Sequence, residues 1–415
     1  MEGSQPIAIG TSGFLSLIIN YCKLMRRLVQ IILLKPILWF SRKFTSRPER
    51  YRIFKALSEL FRNIKEAPGK KGVILDLKEN TRIIVFSDHH RGAKNGADDF
   101  MKAETSYLAA LDYYFENKFQ YVSLGDSEEL WENTLMQVKK HNTITFEAEK
   151  RFILKDRFFK VFGNHDLYWD NSPIASQQLK AIYGKKLRVF EGVILEKGNS
   201  ESTRQKKTVS NPFSFLNKKP NSDDETLPIA NCPITIFLTH GHQGDASSDG
   251  NWFSKFFVAN IWAPLQSYLR INFNTPAYDE DLKTSHNLIM YEWSAKYNSL
   301  VLITGHTHQP VFESLTHPER LYKKLGDAVK ANRTDEANQI EQEIKRRGRD
   351  YKTTPAQYLT MKPSYFNSGC CCFRDGDITG IEITHEKISL VKWNIHKQRV
   401  LLEETTLEKL ESLLR

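Results

Sequence analysis

Histidine, aspartate and asparagine side chains recur in five short motifs between residues 87 and 308 of the 415-residue chain. The motifs are Ser87-Asp88-His89-His90, Gly125-Asp126, Gly163-Asn164-His165-Asp166, Thr239-His240-Gly241-His242 and Gly305-His306-Thr307-His308. Carboxylate, imidazole and amide donors without a thiolate suit Mn, Fe, Zn or Co ions. These donors are numerous enough to fill two coordination spheres, so the sequence predicts a site for two metal ions.

Two neighbouring ions need a shared ligand, and Asp126 is the expected one, because a carboxylate can bridge ions about 3.5–4 Å apart. Asp88 and His90 are two residues apart, so both side chains can point to one ion. Such an ion pair lowers the pKa of a shared water and neutralises a phosphoryl group. We therefore expect hydrolysis of a phosphate ester or pyrophosphate through a hydroxide that bridges the metals, with His165 protonating the leaving oxygen.

A short apolar run precedes each motif, which is typical of buried strands. The runs are Arg82–Phe86, Tyr121–Leu124, Phe158–Phe162, Ile234–Leu238 and Leu300–Ile303. Between the first two runs, Phe100–Asn117 has apolar residues at helical spacing, which predicts a β-α-β unit. Open α/β sheets build their sites at the carboxyl ends of strands. Five strand ends with one kind of chemistry therefore predict an α/β fold with a single shared site.

In type and order, the five motifs resemble those of the calcineurin-like metallophosphoesterases. The resemblance covers Arg82 to His308, and it continues in Tyr365-Phe366-Asn367-Ser368-Gly369, which is similar to the closing strand and turn of that family. The resemblance implies an α/β fold, a four-layer α/β/β/α sandwich with two mixed sheets and, here, helical insertions.

The resemblance also implies a role for each motif residue. It implies that a first triad, Asp88, His90 and His308, holds one metal. A second triad, Asn164, His240 and His306, then holds the other metal, and the carboxylate of Asp126 bridges the two. His165 is then the leaving-group acid, and Asp166 orients it. Arg91 follows the first motif and is expected to bind a substrate phosphate, with an ion pair as the alternative. The expected cofactors are two divalent ions, Mn, Fe or Zn, with Mn favoured.

The net charge of +10 is concentrated near the amino terminus, where Lys23 to Lys55 contain ten Lys and Arg residues and one acid, Glu49. The apolar stretch Phe14–Phe40 in this region is interrupted by basic residues, so it is too short to span a membrane. Two interpretations stay open. Residues 14–55 bind an anionic membrane surface as an amphipathic segment, or the apolar face packs on the protein core. Nucleic acid is not an expected partner.

The five cysteines are Cys22, Cys232 and the run Cys370-Cys371-Cys372. This odd number without a spacing pattern argues against a secreted disulfide scaffold. The absence of Cys-x-x-Cys argues against a cysteine-based structural zinc site. The expected location is the cytoplasm, peripheral on the inner face of a membrane if the amino-terminal segment binds lipid.

The chain is expected to divide into three parts. Residues 1–56 form the basic amphipathic segment, residues 57–400 the catalytic domain, and residues 401–415 a C-terminal helix. Within the domain, residues 196–227 are polar and predict a flexible loop. Residues 249–299 predict an aromatic helical cap, because Trp252–Phe273 has helical apolar spacing. Residues 316–352 predict a charged helical insertion.

Three functions fit these features. The first is a general metallophosphoesterase whose substrate is a soluble phosphomonoester, phosphodiester or nucleotide. The second is a membrane-surface hydrolase of a phospholipid or lipid-linked pyrophosphate. Its layout is similar to the UDP-diacylglucosamine pyrophosphatases, in which a helical insertion covers the site, although that family typically has Arg in place of His165. The third is a non-catalytic scaffold.

Overall fold

The computed structural model describes residue 21 and residues 48–95, 98–170, 174–198, 227, 233–244, 280–346 and 361–415. Within these residues, the strands form two mixed sheets of seven strands each, with helices packed against them. The predicted α/β class with two mixed sheets is therefore confirmed. No helix among the described residues is long and apolar enough to cross a membrane.

The strands have the following bounds: β1 (Gly72–Asp76), β2 (Arg82–Phe86), β3 (Gln120–Leu124), β4 (Phe158–Val161), β5 (Val189–Phe190), β6 (Gly192–Glu196), β7 (Thr235–Thr239), β8 (Leu300–Thr304), β9 (Val311–Phe312), β10 (Leu315–Thr316), β11 (Tyr365–Asn367), β12 (Ile378–Thr384), β13 (Lys387–Trp393) and β14 (Arg399–Thr406). The helices are α1 (Arg50–Glu66), α2 (Glu104–Glu116), α3 (Leu135–His141), α4 (Thr143–Leu154), α5 (Ile174–Tyr183), α6 (Glu280–Ser294), α7 (His317–Lys330), α8 (Thr334–Arg346) and α9 (Leu407–Leu413).

The first sheet has the strand order β14-β13-β12-β2-β3-β4-β5. Strands β2, β3, β4 and β5 are parallel, whereas β12 pairs with β2 in the antiparallel sense. Helix α2 connects β2 with its parallel neighbour β3, as the helical spacing in Phe100–Asn117 predicts. The carboxyl ends of β2, β3 and β4 therefore lie side by side at one edge.

The second sheet has the order β1-β6-β7-β8-β11-β9-β10. Its central strands β7, β8 and β11 are parallel, while β6 runs antiparallel to β7. The apolar runs Ile234–Leu238 and Leu300–Ile303 form β7 and β8, and both strands are fully buried. Their carboxyl ends carry the two remaining histidine motifs.

Three clusters of buried apolar residues hold these layers together. One lies between the sheets and joins Val85 and Val122 of the first sheet to Ile236 of the second. Another packs α2, α4 and α5 on the first sheet. The third packs α1 and α6 on the second sheet through residues such as Phe61 and Trp293. The central strands of each sheet thus bury both faces, one against the other sheet and one against helices.

Two expected boundaries are wrong. Residue 56 lies inside α1, which buries Ile53, Leu57 and Phe61 against the second sheet. The described residues 48–56 therefore belong to the folded domain rather than to a separate segment. Residues 401–406 are not helical, because they pair with β13 as the edge strand β14. The C-terminal helix begins only at Leu407, where the side chain of Thr406 accepts a hydrogen bond from the amide of Lys409.

Other expected segments are described in part. Residues 317–346 of the charged insertion form helices α7 and α8. Of the aromatic cap, residues 280–294 form α6, which packs on the second sheet. The remainder of the cap, including Trp252–Phe273, lies outside the described residues. So do most of the loop at 196–227 and most of residues 14–55.

Candidate metal centre

The polar motifs converge where the carboxyl ends of the two sheets meet. Asp88 and His90 follow β2, Asp126 follows β3, and Asn164 follows β4, all in the first sheet. In the second sheet, His240 follows β7, and His306 and His308 follow β8. Except for His308, whose side chain is 13% exposed, these side chains are buried. The seven predicted ligands are thus brought together in one place.

The first triad consists of Asp88, His90 and His308. Nε2 of His308 lies 3.3 Å from Oδ1 of Asp88, and Nε2 of His90 lies 4.0 Å from the same oxygen. The two Nε2 atoms are 3.0 Å apart. Two ring nitrogens this close need a proton or a cation between them, since two lone pairs repel. This geometry fits a bound cation.

The second triad differs in composition, because it includes an amide. Nε2 of His240 lies 3.2 Å from Oδ1 of Asn164. Donor atoms of Asp126, His240 and His306 all lie within 4.8 Å of one another. These are nitrogen and oxygen donors throughout, which fits a divalent transition metal.

Asp126 lies between the two triads. Its Oδ2 is 3.2 Å from Nε2 of His240 and 3.8 Å from Nε2 of His90. Its Oδ1 accepts a hydrogen bond of 2.8 Å from the backbone amide of His165. One carboxylate therefore faces donors of both triads, and its orientation is fixed by the neighbouring β4 loop.

Hydrogen bonds on the outer ring nitrogens leave the inner nitrogens able to bind metal. Nδ1 of His90 donates to Oε2 of Glu129 at 2.8 Å, and Nδ1 of His240 donates to the carbonyl oxygen of Leu124 at 2.9 Å. Neutral imidazole carries one proton, so each Nε2 keeps its lone pair towards the centre. The pattern is that of metal-binding histidines.

The backbone at the site is strained. Five predicted ligands have φ in the left-handed region, which is rare for residues with a side chain: Asp88 (54°), His90 (49°), Asp126 (50°), His306 (69°) and His308 (55°). Each such residue costs on the order of 1–3 kcal/mol, and such strain clusters at functional sites. Gly125 (φ 87°) precedes Asp126, and any side chain there would collide with the ring of His240.

Charges inside the site balance one another. Burial raises the pKa of Asp88, but His240 and His308 offset burial and lower it to about 2. For His240, burial lowers the pKa, but Asp126 and Asp88 raise it to about 9. Imidazole protons thus supply the positive charge that the carboxylates require. Bound metal ions would replace these protons, so we expect metal affinity to weaken as the pH falls.

Residues 81–310, which are more than half of the 415-residue chain, match the model of the calcineurin-like phosphoesterase family. The chain belongs to this family. Its members hydrolyse phosphoester bonds with metal ions, so this calcineurin-like phosphoesterase is a metal-dependent hydrolase.

Comparison with individual proteins adds little to the family assignment. A solved structure of a conserved uncharacterized protein from Streptococcus pneumoniae TIGR4, described as a predicted phosphoesterase, is 13% identical with a TM-score of 0.26. The match covers 79% of this chain and 97% of that chain. A TM-score this low does not establish that the two proteins share a fold. No curated protein matches the sequence.

The partner of His165 in this phosphoesterase is Glu129, and the predicted role of Asp166 is therefore corrected. Nδ1 of His165 donates to Oε1 of Glu129 at 2.9 Å. Asp166 instead accepts hydrogen bonds from the backbone amides of Gly163 (2.6 Å) and Ser127 (2.9 Å). Asp166 thus fixes the β4 loop to the β3 loop rather than orienting His165. Its pKa is raised to about 6 by burial.

Glu129, to which the sequence motifs assign no specific role, contacts two site histidines. Its Oε2 accepts from His90 and its Oε1 from His165, so one carboxylate orients both rings. Burial raises its pKa, but His165 and His90 offset burial and lower it to about 2. One signal in the sequence could have indicated this role. Glu129 is an acidic residue three positions after the predicted ligand Asp126, close to a strand end that carries site residues.

The predicted contact of Arg91 with substrate is also corrected. Its side chain is fully buried, with Nη2 2.5 Å from Oε1 of Glu128 and Nη1 2.7 Å from Oε1 of Glu149. Lys160 joins this group with Nζ 2.8 Å from Oε2 of Glu128. A guanidinium held between two buried carboxylates is not available to a phosphate, so the alternative of a structural ion pair holds.

Arg91→Met is accordingly expected to destabilise the fold by about 3–5 kcal/mol, because it removes the guanidinium that pairs with the buried carboxylates of Glu149 and Glu128. The measurement is the free energy of unfolding in urea. The matched control is Arg151→Met, whose exposed pair with Asp112 is worth about 1 kcal/mol or less. A folded Arg91→Met enzyme of normal stability, with a raised KM, would restore the phosphate-binding role.

Proposed function

We propose that this phosphoesterase holds two divalent ions, with manganese favoured, and hydrolyses a phosphate ester or pyrophosphate between them. The position of Asp126 carries the proposal, because one carboxylate faces donors of both triads. Asp88, His90 and His308 would hold one ion, and Asn164, His240 and His306 the other. When bound, such an ion pair supplies an activated water and charge neutralisation for the phosphoryl group.

His165 is proposed to protonate the leaving oxygen. Its Nδ1–H is held by Glu129, so the transferable proton is on Nε2. Burial lowers the pKa of His165, but Glu129 and Asp126 raise it to about 9, which keeps the ring protonated at neutral pH. The indole of Trp131 stacks on the His165 ring with 4.4 Å between centroids, which fixes its orientation. A protonated, immobile imidazole suits a general acid.

The membrane-surface alternative stays a prediction. It rests on residues 14–55 and on Trp252–Phe273, nearly all of which lie outside the described residues. In the described portion of the amino-terminal segment, Ile53 of α1 is buried against the second sheet, as the competing interpretation expects. Co-sedimentation of the full chain with anionic and with neutral vesicles separates the two. Equal recovery with both kinds of vesicle would argue against an anionic membrane partner.

The proposal is tested by hydrolysis of p-nitrophenyl phosphate and its bis-ester before and after chelation. We expect the metal-free protein to be inactive and Mn²⁺ to restore activity, at two ions per chain by elemental analysis. The ratio of mono- to diester rates narrows the substrate class. Metal-replete protein that hydrolyses neither substrate, nor lipid-linked pyrophosphates, would favour the non-catalytic scaffold.

Metal removal is also expected to lower stability. A ligand that binds only the folded state, at 100 times its dissociation constant, adds about 2.7 kcal/mol to the free energy of unfolding. The site contains mutually repelling carboxylates and strained backbone, both of which bound ions offset. We expect a lower thermal midpoint after chelation, recovered with Mn²⁺ but not with Na⁺. An unchanged midpoint would show that the folded protein binds no divalent ion tightly.

A further inference from the structure

Two cysteines lie on the outer side of His308. Cys370 and Cys372 follow β11 and are buried, with 2% and 8% exposure. Cys371 lies at a bend of the chain between them, and it is not among the donors grouped with His308. Cys371 packs in the apolar cluster between α2 and the first sheet. The segment therefore presents a pair of thiols on one side only.

His308 provides a third donor to this pair. Sγ of Cys372 lies 3.8 Å from Nδ1 of His308, and donor atoms of Cys370, Cys372 and His308 all lie within 4.8 Å of one another. In a tetrahedral zinc site, bonds of about 2.3 Å to sulfur and about 2.0 Å to nitrogen place these atoms roughly 3.5 Å apart. The three donors need only a small inward shift to bind one ion.

We propose that Cys370, Cys372 and Nδ1 of His308 form a separate site for a thiophilic divalent ion such as Zn²⁺ or Cd²⁺. In the bound state both cysteines are thiolates and Nδ1 of His308 carries no proton, so any protons on these atoms are released to solvent. Two thiolates then neutralise the charge of the ion, which suits a buried position. The partial exposure of His308 and Cys372 gives the ion a route from solvent.

The donor chemistry separates this site from the carboxylate and imidazole centre. Thiolates select soft ions, whereas carboxylates favour harder ions such as Mn²⁺. The spacing Cys-x-Cys with a distant histidine differs from the Cys-x-x-Cys pattern whose absence argued against a cysteine-based structural zinc site. His308 lies 62 residues before Cys370 in the sequence. The parallel pairing of β8 with β11 brings the loops that follow these two strands together.

The shared ring couples the two sites, and this coupling alone rests on the proposed function. Nε2 of His308 faces Asp88 at 3.3 Å, while Nδ1 faces Cys372. A neutral imidazole has one lone-pair nitrogen, so it can serve both ions only as an imidazolate. An ion on the thiols therefore removes or weakens His308 as a ligand of the first triad, and we expect thiophilic ions to inhibit the Mn²⁺ enzyme.

The test is titration of the reduced, Mn²⁺-loaded full chain with Cd²⁺, monitored by the sulfur-to-cadmium charge-transfer absorption. We expect a band that saturates at one Cd²⁺ per chain. The band should be lost in Cys370→Ala/Cys372→Ala and retained in the matched control Cys371→Ala. Single variants Cys370→Ala and Cys372→Ala, which disturb the fold less, should each lose roughly half of the amplitude.

Two results would overturn the site: no band in the wild-type chain, or a band that persists in the double variant and so arises from Cys22, Cys232 or Cys371. Circular dichroism verifies that each variant is folded. The absorption does not depend on hydrolysis, so a band in a protein without phosphoesterase activity would retain the thiolate site and reject the proposed function. A band without loss of Mn²⁺-dependent hydrolysis would retain the site and reject the coupling.

Discussion

Asp126→Asn is expected to lower kcat/KM for p-nitrophenyl phosphate by at least about 10³-fold, since metal ions supply several kcal/mol of transition-state stabilisation and each 1.4 kcal/mol is tenfold. Oδ2 of Asp126 faces His240 and His90, which belong to different triads. Asparagine would put a neutral amide where the two proposed ions would share a negative charge. We therefore expect this one substitution to lower the affinity of the site for both ions.

The variant is also expected to remain folded, which makes the result interpretable. Oδ1 of Asp126 accepts from the amide of His165, and the carbonyl oxygen of asparagine can accept the same hydrogen bond. The charge-matched control is Asp112→Asn on the exposed face of α2, which should keep full activity. Elemental analysis should find fewer than two ions per Asp126→Asn chain. An active variant with two bound ions would refute the bridging role.

The positions of the ligands could be predicted because each depends on a local pattern. An apolar run such as Leu300–Ile303 predicts a buried strand, and the polar residues that follow must then lie at its carboxyl end. The strands begin and end within about one residue of the expected bounds. Because parallel strands bring equivalent ends together, residue types alone were enough to gather Asp88 with Asp126 and His240 with His308. That the two sheets meet at these ends followed from the similar chemistry of all five strand ends and from the resemblance to the family.

The roles of Arg91, Glu129 and Asp166 could not be predicted in this way, because they depend on partners rather than on types. Arg91 binds Glu149, which a helix far along the chain supplies, and it pairs with Glu128 through an isolated bridge between the β2 and β3 loops. A charged residue beside a ligand is equally compatible with a substrate contact and a buried ion pair. Only the packing of α4 decides between them.

The carboxyl terminus was misassigned for a related reason. Residues 401–415 contain leucines at spacings compatible with a helix, but Leu401 and Leu402 lie in an edge strand. The pairing partner, β13, determines the outcome, and tertiary pairing overrides weak local preference. Helix α9 starts where Thr406 caps it, which is a local signal that the sequence did contain.

Glu129→Gln is expected to reduce kcat by about 10²-fold or more. The substitution weakens the hydrogen bonds that orient two rings, the proposed metal ligand His90 and the proposed acid His165. Loss of an outer partner of a metal ligand typically costs about 10–100-fold, and loss of general acid catalysis about 10²–10⁴-fold. Glu129 also raises the pKa of His165. Without that charge the pKa falls, so the alkaline limb of the kcat–pH profile should move to lower pH.

The matched control is Glu132→Gln, on the same loop. Burial, together with Glu129 and Asp99, raises the pKa of Glu132 to about 9, so this carboxyl is protonated at neutral pH and glutamine is close to it in charge and shape. Its activity and pH profile should stay near those of the wild type. If Glu129→Gln lowered metal content but left the alkaline limb in place, Glu129 would position His90 only. An unchanged kcat and an unchanged pH profile would show that the two hydrogen bonds of Glu129 do not contribute to catalysis, and the acid role of His165 would then lack its supporting partner.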